Sequence, residues 1–138
     1  MLRIPRTLCE EVIAHCHNQH PKEACGYLAA DTAGMVVQVY PMTNVEDSPI
    51  GYAMDPKEQL TVEKRMRSRG QSRVGIYHSH TASAAYPSSV GVSLAVSPDI
   101  SYVLVSLKDR ERPELKSYRI DGARVSPEEV VIRDANTL

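Results

Sequence analysis

The tripeptide His78-Ser79-His80 constrains this chain more than any other feature, because it directly follows the apolar residues Val74 and Ile76. Residues i and i+2 of a β-strand point to the same face of a sheet. Two imidazoles at the end of such a strand therefore project together and can share one metal ion. The small, polar and proline residues at positions 81–87 predict a loop. The sequence thus predicts a metal site at a strand end.

Ser88 follows that loop and precedes apolar residues at positions 90, 92 and 94–96. Serine is a favoured N-cap residue, so Ser88 is predicted to begin a short helix. A helix at this place would face the two histidines. The strand end and the capped helix together make a candidate catalytic corner.

The composition limits what this corner can belong to. The 138 residues suffice for one domain with a core but not for two, so we expect a single domain over 1–138. A net charge of -1 gives no electrostatic support for nucleic-acid binding. The apolar runs are too short to cross a bilayer. Three cysteines, an odd number, and no apolar signal segment favour a reduced, cytoplasmic protein without disulfides.

Hydrophobic periodicity predicts the order of the other elements. Helices are predicted over residues 5–19 and from Pro56 to Gly70, the second capped by Asp55 and with Leu60 and Met66 turned inward. Predicted strands, besides the one ending at His80, are residues 23–30, 35–40, 50–54, 101–107, 114–120 and 129–132, with loop at 41–48 and a tight turn at 121–122. This order predicts an α/β fold in which helices flank a mixed β-sheet.

Two charged features have more than one interpretation. Glu23 at the start of a predicted strand is either an edge residue facing water or a general base leaning over a site. The basic residues at positions 64, 65, 67 and 69 suit a solvated helix face near the negative end of the helix dipole, and partner binding is the alternative.

Glu23, His78-Ser79-His80 and Ser88 together resemble the JAMM (MPN+) metalloprotease motif, which is a glutamate followed by H-x-H, seven residues, S, two residues and D. Segments 23–26, 41–44, 77–81 and 102–106 are similar to the small bacterial members that act on ubiquitin-like sulfur-carrier proteins in cysteine biosynthesis. The resemblance implies a single-domain JAMM/MPN fold, which is cytidine-deaminase-like.

The same resemblance implies roles for four residues. His78 and His80 would be zinc ligands, Glu23 the general base, and Ser88 the donor to the oxyanion. Catalytic zinc takes three protein ligands and lowers the pKa of a bound water to about 7. The substrate would be an amide, in related hydrolases to cysteine, after the carrier's C-terminal Gly-Gly, lying extended along a sheet edge. A homodimer is left open.

The motif's third ligand is missing, because its aspartate position is occupied by Gly91. Asp99 is eight residues late and cannot substitute for it. Zinc is therefore expected to be weak or absent. Three replacements for the missing ligand are open. They are bound water, Glu23 turned onto the metal, and Cys25 on the same strand face as Glu23. If Glu23 binds the metal, the general base is lost.

Three interpretations of Gly91 stay open at this point. The first is a JAMM-type hydrolase whose activity is impaired or conditional. The second is a catalytically inactive MPN-type module that binds a ubiquitin-like carrier or a partner subunit. The third is an engineered or trapped form of an otherwise active enzyme.

Overall fold

The fold is described from a computed structural model, in residues 1–46, 49, 51–88, 92, 95 and 97–134. These residues contain two helices, α1 (Arg6–Gln19) and α2 (Pro56–Ser68), and eight strands. The strands are β1 (Leu2–Pro5), β2 (Cys25–Ala30), β3 (Val36–Met42), β4 (Ser72–His80), β5 (Ser101–Ser106), β6 (Glu114–Asp121), β7 (Arg124–Glu128) and β8 (Val130–Arg133).

Six of the strands form one mixed sheet in the order β3-β2-β4-β5-β6-β7. Strands β4 and β5 run parallel, and the other neighbours in this sheet are antiparallel. The remaining two, β1 and β8, pair with each other in parallel. The prediction of a mixed sheet flanked by helices is confirmed.

Apolar side chains cover both faces of the large sheet. On one face, Leu28, Tyr77 and Val103 share a core with the α1 residues Val12 and Cys16. Among the described residues the opposite face has three clusters, listed here by their buried members: Cys25, Tyr27, Ala29, Tyr40, Met42, Val62 and Met66 near α2; Ala85, Leu104 and Tyr118; and Ile100, Tyr102 and Ile120. Burial on both faces explains why β2 and β5 are buried at every position.

Tyr77 fastens α1 to the sheet. It is the cross-strand partner of Gly26, and its ring occupies the space that a side chain at position 26 would need. The Tyr77 hydroxyl lies 2.7 Å from Nδ1 of His15 on α1. The absence of a side chain at Gly26 is therefore a packing requirement.

The boundaries of β2 and β3 differ from the predicted ones at Glu23 and Pro41. Strand β2 begins at Cys25, so Glu23 precedes it. Strand β3 runs to Met42, although a loop was predicted from Pro41. Proline is tolerated there because β3 is an edge strand and needs no second ladder of hydrogen bonds.

The predicted strand at 50–54 is wrong for the residues that the structure describes, which exclude Ile50. Of residues 51–54, only Met54 has a strand partner, through a single bridge to Asn44. This bridge closes a loop and does not make a strand. The inward prediction for Leu60 is also wrong, since its side chain is 51% exposed. Val62 faces the sheet instead, because residues two apart on a helix point in nearly opposite directions. The inward prediction for Met66 is confirmed, since it is 3% exposed.

The chain ends of the fold were only partly predicted. Residues 2–5 form β1, so α1 begins at Arg6 and Pro5 is its N-cap residue. The predicted tail strand exists as β8, but it pairs with β1 rather than with the large sheet. The Asp55 cap is confirmed, because its carboxylate accepts from the Lys57 amide. The turn after β6 is confirmed by Gly122, with φ +61°.

Neither α1 nor α2, the helices of the described residues, has the length and hydropathy that a membrane crossing requires.

Candidate active site

The end of β4 brings two imidazoles together. The Nε2 atoms of His78 and His80 lie 3.2 Å apart. Two nitrogens bound at about 2.0–2.1 Å to one tetrahedral zinc ion are about 3.3 Å apart. The pair therefore has the separation that a shared zinc ion requires.

The surroundings of the pair favour the metal-binding form of each ring. His80 Nδ1 lies 2.9 Å from the Ala84 carbonyl oxygen, which orients the ring and leaves Nε2, 3.2 Å from His78 Nε2, as its acceptor nitrogen. Burial, and secondarily the neighbouring His80, lowers the pKa of His78 to about 3. His78 is thus neutral at physiological pH, and neutral imidazole is the form that coordinates metal.

Glu23 is brought opposite the histidines by the pairing of β2 with β4. Cys25 is the partner of His78 in this antiparallel register. Continuing the register by two residues on each strand sets Glu23 opposite His80. Because side chains alternate along strands, Cys25, His78 and His80 lie on one face of the sheet, and the same alternation predicts that face for Glu23, which precedes β2.

The Glu23 side chain is buried, which excludes the interpretation of an edge residue facing water: the residue is 6% exposed. Burial, followed by the negative charge of Glu46, raises the pKa of Glu23 to about 7. A carboxyl group with this pKa can both accept and release a proton near neutral pH.

The segment after β4 folds back across the sheet and is held by three hydrogen bonds to main-chain oxygens. Thr81 Oγ1 donates to the Pro49 oxygen at 3.0 Å. Ser106 Oγ donates to the Ser83 oxygen at 2.6 Å, and the Tyr118 hydroxyl to the Ala85 oxygen at 2.5 Å. These bonds fix the path of the chain between His80 and Ser88.

Ser88 ends this segment as an exposed residue, and its carbonyl oxygen accepts from the Val92 amide at 2.9 Å. The helix predicted after it falls mostly on residues outside the described part of the chain. Gly91 is among them, so its role stays a prediction from the sequence.

The donor set fits a zinc ion only in part. Within the described residues, no group of three His, Cys, Asp or Glu side chains could hold a metal ion. Cys25 is fully buried, and burial, with the charges of Glu58 and Glu23, raises its pKa to about 12. The thiolate is the metal ligand, so a protonated Cys25 is a poor replacement. What remains is a pair of imidazoles.

Two neighbours of the site, Asn44 and Tyr52, escaped the sequence analysis. Both belong to the loop 44–54, which is closed by a hydrogen bond from the Val45 amide to the Ala53 oxygen at 2.9 Å. The Tyr52 ring packs on His78 with centroids 4.8 Å apart. Residue 44 belongs to segment 41–44, which resembles the family, but no role is predicted for it from the sequence. No local sequence pattern distinguishes Tyr52.

The chain is similar to known proteins along most of its length. Residues 5–121 match the family described as prokaryotic homologs of the JAB domain. The chain is 46% identical over 131 residues to the CysO-cysteine peptidase of Mycobacterium tuberculosis, covering 94% of this chain and 90% of that protein.

Two solved structures extend the comparison. Protein DSY2949 from Desulfitobacterium hafniense superimposes with a TM-score of 0.88 at 38% identity, covering 97% of this chain and 94% of that one. AF2198, a JAB1/MPN domain protein from Archaeoglobus fulgidus, gives 0.65 at 17% identity, with 96% and 97% covered. The second likeness concerns the fold alone.

Proposed function

This chain belongs to the family of prokaryotic homologs of the JAB domain, and from that membership we propose that it hydrolyses an amide at the C-terminus of a ubiquitin-like sulfur-carrier protein. The amino acid released is cysteine, as the name of the mycobacterial relative suggests. The carrier ends in Gly-Gly, and the protein acts as a single domain in the cytoplasm.

One observation carries the proposal: the buried Glu23 lies two residues before the register partner of His78, whose Nε2 atom is 3.2 Å from that of His80. A carboxyl group beside a metal-binding pair is what metal-assisted hydrolysis needs. A structural carboxylate would instead be found with a basic partner. No ion pair to Glu23 is present among the described residues.

The proposed roles are those of the family motif that the sequence resembles. His78 and His80 would hold zinc through Nε2, and the ion, when bound, supplies the polarisation that makes water reactive at neutral pH. Glu23 takes the proton of the attacking water and returns it to the leaving amine. Ser88 donates a hydrogen bond to the developing oxyanion.

Gly91 supports a second candidate function. With glycine at the position of the third ligand, zinc is held weakly or not at all, and the protein then acts as an MPN-type module that binds a carrier or a partner subunit. Such a module would keep affinity for the carrier without hydrolysing its conjugate.

The test is to load the purified protein with zinc, determine the metal content, and incubate it with a carrier that ends in Gly-Gly-Cys. Release of free cysteine, lost on His78→Ala substitution and on chelation, is the expected result. Tight binding of the carrier without cysteine release would favour the binding module. If the protein neither binds the carrier nor releases cysteine, both functions are refuted.

A further inference from the structure

The peptide group between Glu23 and Ala24 is held at both of its polar atoms. Asn44 Nδ2 donates to the Glu23 carbonyl oxygen at 2.9 Å. The Ala24 amide donates to Ser79 Oγ at 2.8 Å. We propose that Asn44 and Ser79 are positioning residues that clamp this peptide group and thereby aim the Glu23 carboxyl group at the histidines.

The clamp restricts the torsion that matters for Glu23. The plane of a peptide group rotates about the Cα–C bond of the preceding residue, which here is Glu23. A rotation would move the Glu23 oxygen away from Asn44 and the Ala24 amide away from Ser79 at the same time. With both bonds formed, the main chain that carries the Glu23 side chain is held in place relative to β4.

Ser79 links this restraint directly to the metal-binding pair, because it lies between His78 and His80 on β4. Its amide also donates to the Ala24 oxygen, at 3.0 Å. Ser79 is 0% exposed and Ala24 1% exposed, so water cannot replace these bonds easily. Ser79 therefore ties the main chain next to Glu23 to the strand that carries both imidazoles.

Asn44 is a rigid anchor because its amide group is fully used. Nδ2 also donates to the Gly51 oxygen at 3.0 Å. Oδ1 accepts from the Glu46 and Ala53 amides at 3.0 and 3.1 Å. Four bonds exhaust the hydrogens of the amide and satisfy its oxygen. The loop that packs Tyr52 on His78 is thus fastened to Glu23 through the same side chain.

The inference rests on the proposed function for what Glu23 does, but the clamp itself can be measured separately. Ser79→Ala removes the acceptor of the Ala24 amide. Asn44→Asp replaces the donor to Glu23 by an acceptor and keeps the oxygen that receives the two loop amides. Ser117→Ala is the matched control, since Ser117 is 2% exposed and its hydroxyl bonds Glu128 on β7.

Two readouts are compared in these variants and in the double variant. We expect the order parameter of the Ala24 amide, measured by 15N relaxation, to fall below about 0.85, the rigid-backbone value, in both clamp variants. It should not change in the control. In zinc-loaded protein, kcat is expected to fall at least about tenfold with KM within about twofold, because misplacement of a catalytic group acts on the chemical step. The double variant should lose less than the product of the two single losses.

An Ala24 order parameter that stays unchanged in all three clamp variants would overturn the clamp, whether or not the protein hydrolyses anything. A lowered order parameter with unchanged kcat, or a loss seen only in KM, would overturn the positioning role. If the unsubstituted protein releases no cysteine, the proposed function fails, and relaxation alone then decides whether the clamp exists.

Discussion

Replacing Gly26 by alanine tests how tightly the strand that carries the histidines is packed. The new Cβ would overlap the ring of Tyr77, its cross-strand partner. Tyr77 is 0% exposed, so the ring has no free space into which to turn. The substitution must shift β4 against β2 or displace Tyr77 from His15.

The expected cost can be estimated from these contacts. Overpacking a filled core costs about 1–3 kcal/mol. Loss of the 2.7 Å hydrogen bond between Tyr77 and His15 adds about 0.5–1.5 kcal/mol. The reduced backbone entropy of the unfolded alanine chain offsets about 0.4–1 kcal/mol. We therefore expect Gly26→Ala to lower the free energy of unfolding by about 0.5–4 kcal/mol, with a central value of about 2 kcal/mol.

Urea denaturation at equilibrium measures this change, with an unchanged m-value as evidence of two-state behaviour. Tyr77→Ala is the partner in a double-mutant cycle. Because this substitution removes the ring, Gly26→Ala should cost much less in the Tyr77→Ala protein. A Gly26→Ala protein as stable as the original, or a cost that is the same with and without the Tyr77 ring, would refute the packing argument.

Three further predictions concern the site and its support. Glu23→Gln should lower cysteine release by at least about 100-fold with carrier affinity unchanged, and because a raised carboxyl pKa opposes folding of the charged form, the variant should be equally or more stable at pH 8. Gly91→Asp should raise bound zinc from sub-stoichiometric to one per chain and increase hydrolysis by orders of magnitude, as measured by metal analysis and the cysteine assay. Burial raises the pKa of Glu128, but hydrogen bonds from Ser117, Ser101 and Arg119 outweigh it and bring the value to about 2. Glu128→Gln should therefore cost about 1–2 kcal/mol at pH 7, after allowance for solvent screening, and progressively less as the pH falls from about 4 toward 2.

Each of these has an outcome that contradicts it. Comparable hydrolysis in Glu23→Gln would remove Glu23 from the mechanism. Rapid hydrolysis by the Gly91 protein, or one chelator-resistant zinc per chain, would contradict the missing-ligand argument. If the Asp variant binds zinc well and still cleaves nothing, the binding module gains support. A Glu128→Gln difference that persists at pH 2 would point to packing rather than charge.

Local patterns in the sequence were sufficient for much of the fold. The strand that ends at His80, the strand at 101–107 and the Asp55 cap of α2 depend on residues a few positions apart, and the structure confirms them as β4, β5 and the cap. Patterns of this range failed where a distant partner decides the outcome. Strand β1 has four residues and exists because it pairs with β8 at the other end of the chain.

The candidate site divides in the same way. That His78 and His80 share a face follows from the sequence, because the two-residue repeat of a strand allows no other arrangement. That Glu23 is buried two residues before the register partner of His78, and that Tyr52 packs on His78, are features of the tertiary structure. The physical reason is that the register of β2 on β4 joins residues more than fifty positions apart, and packing of the whole sheet, rather than local preference, selects it.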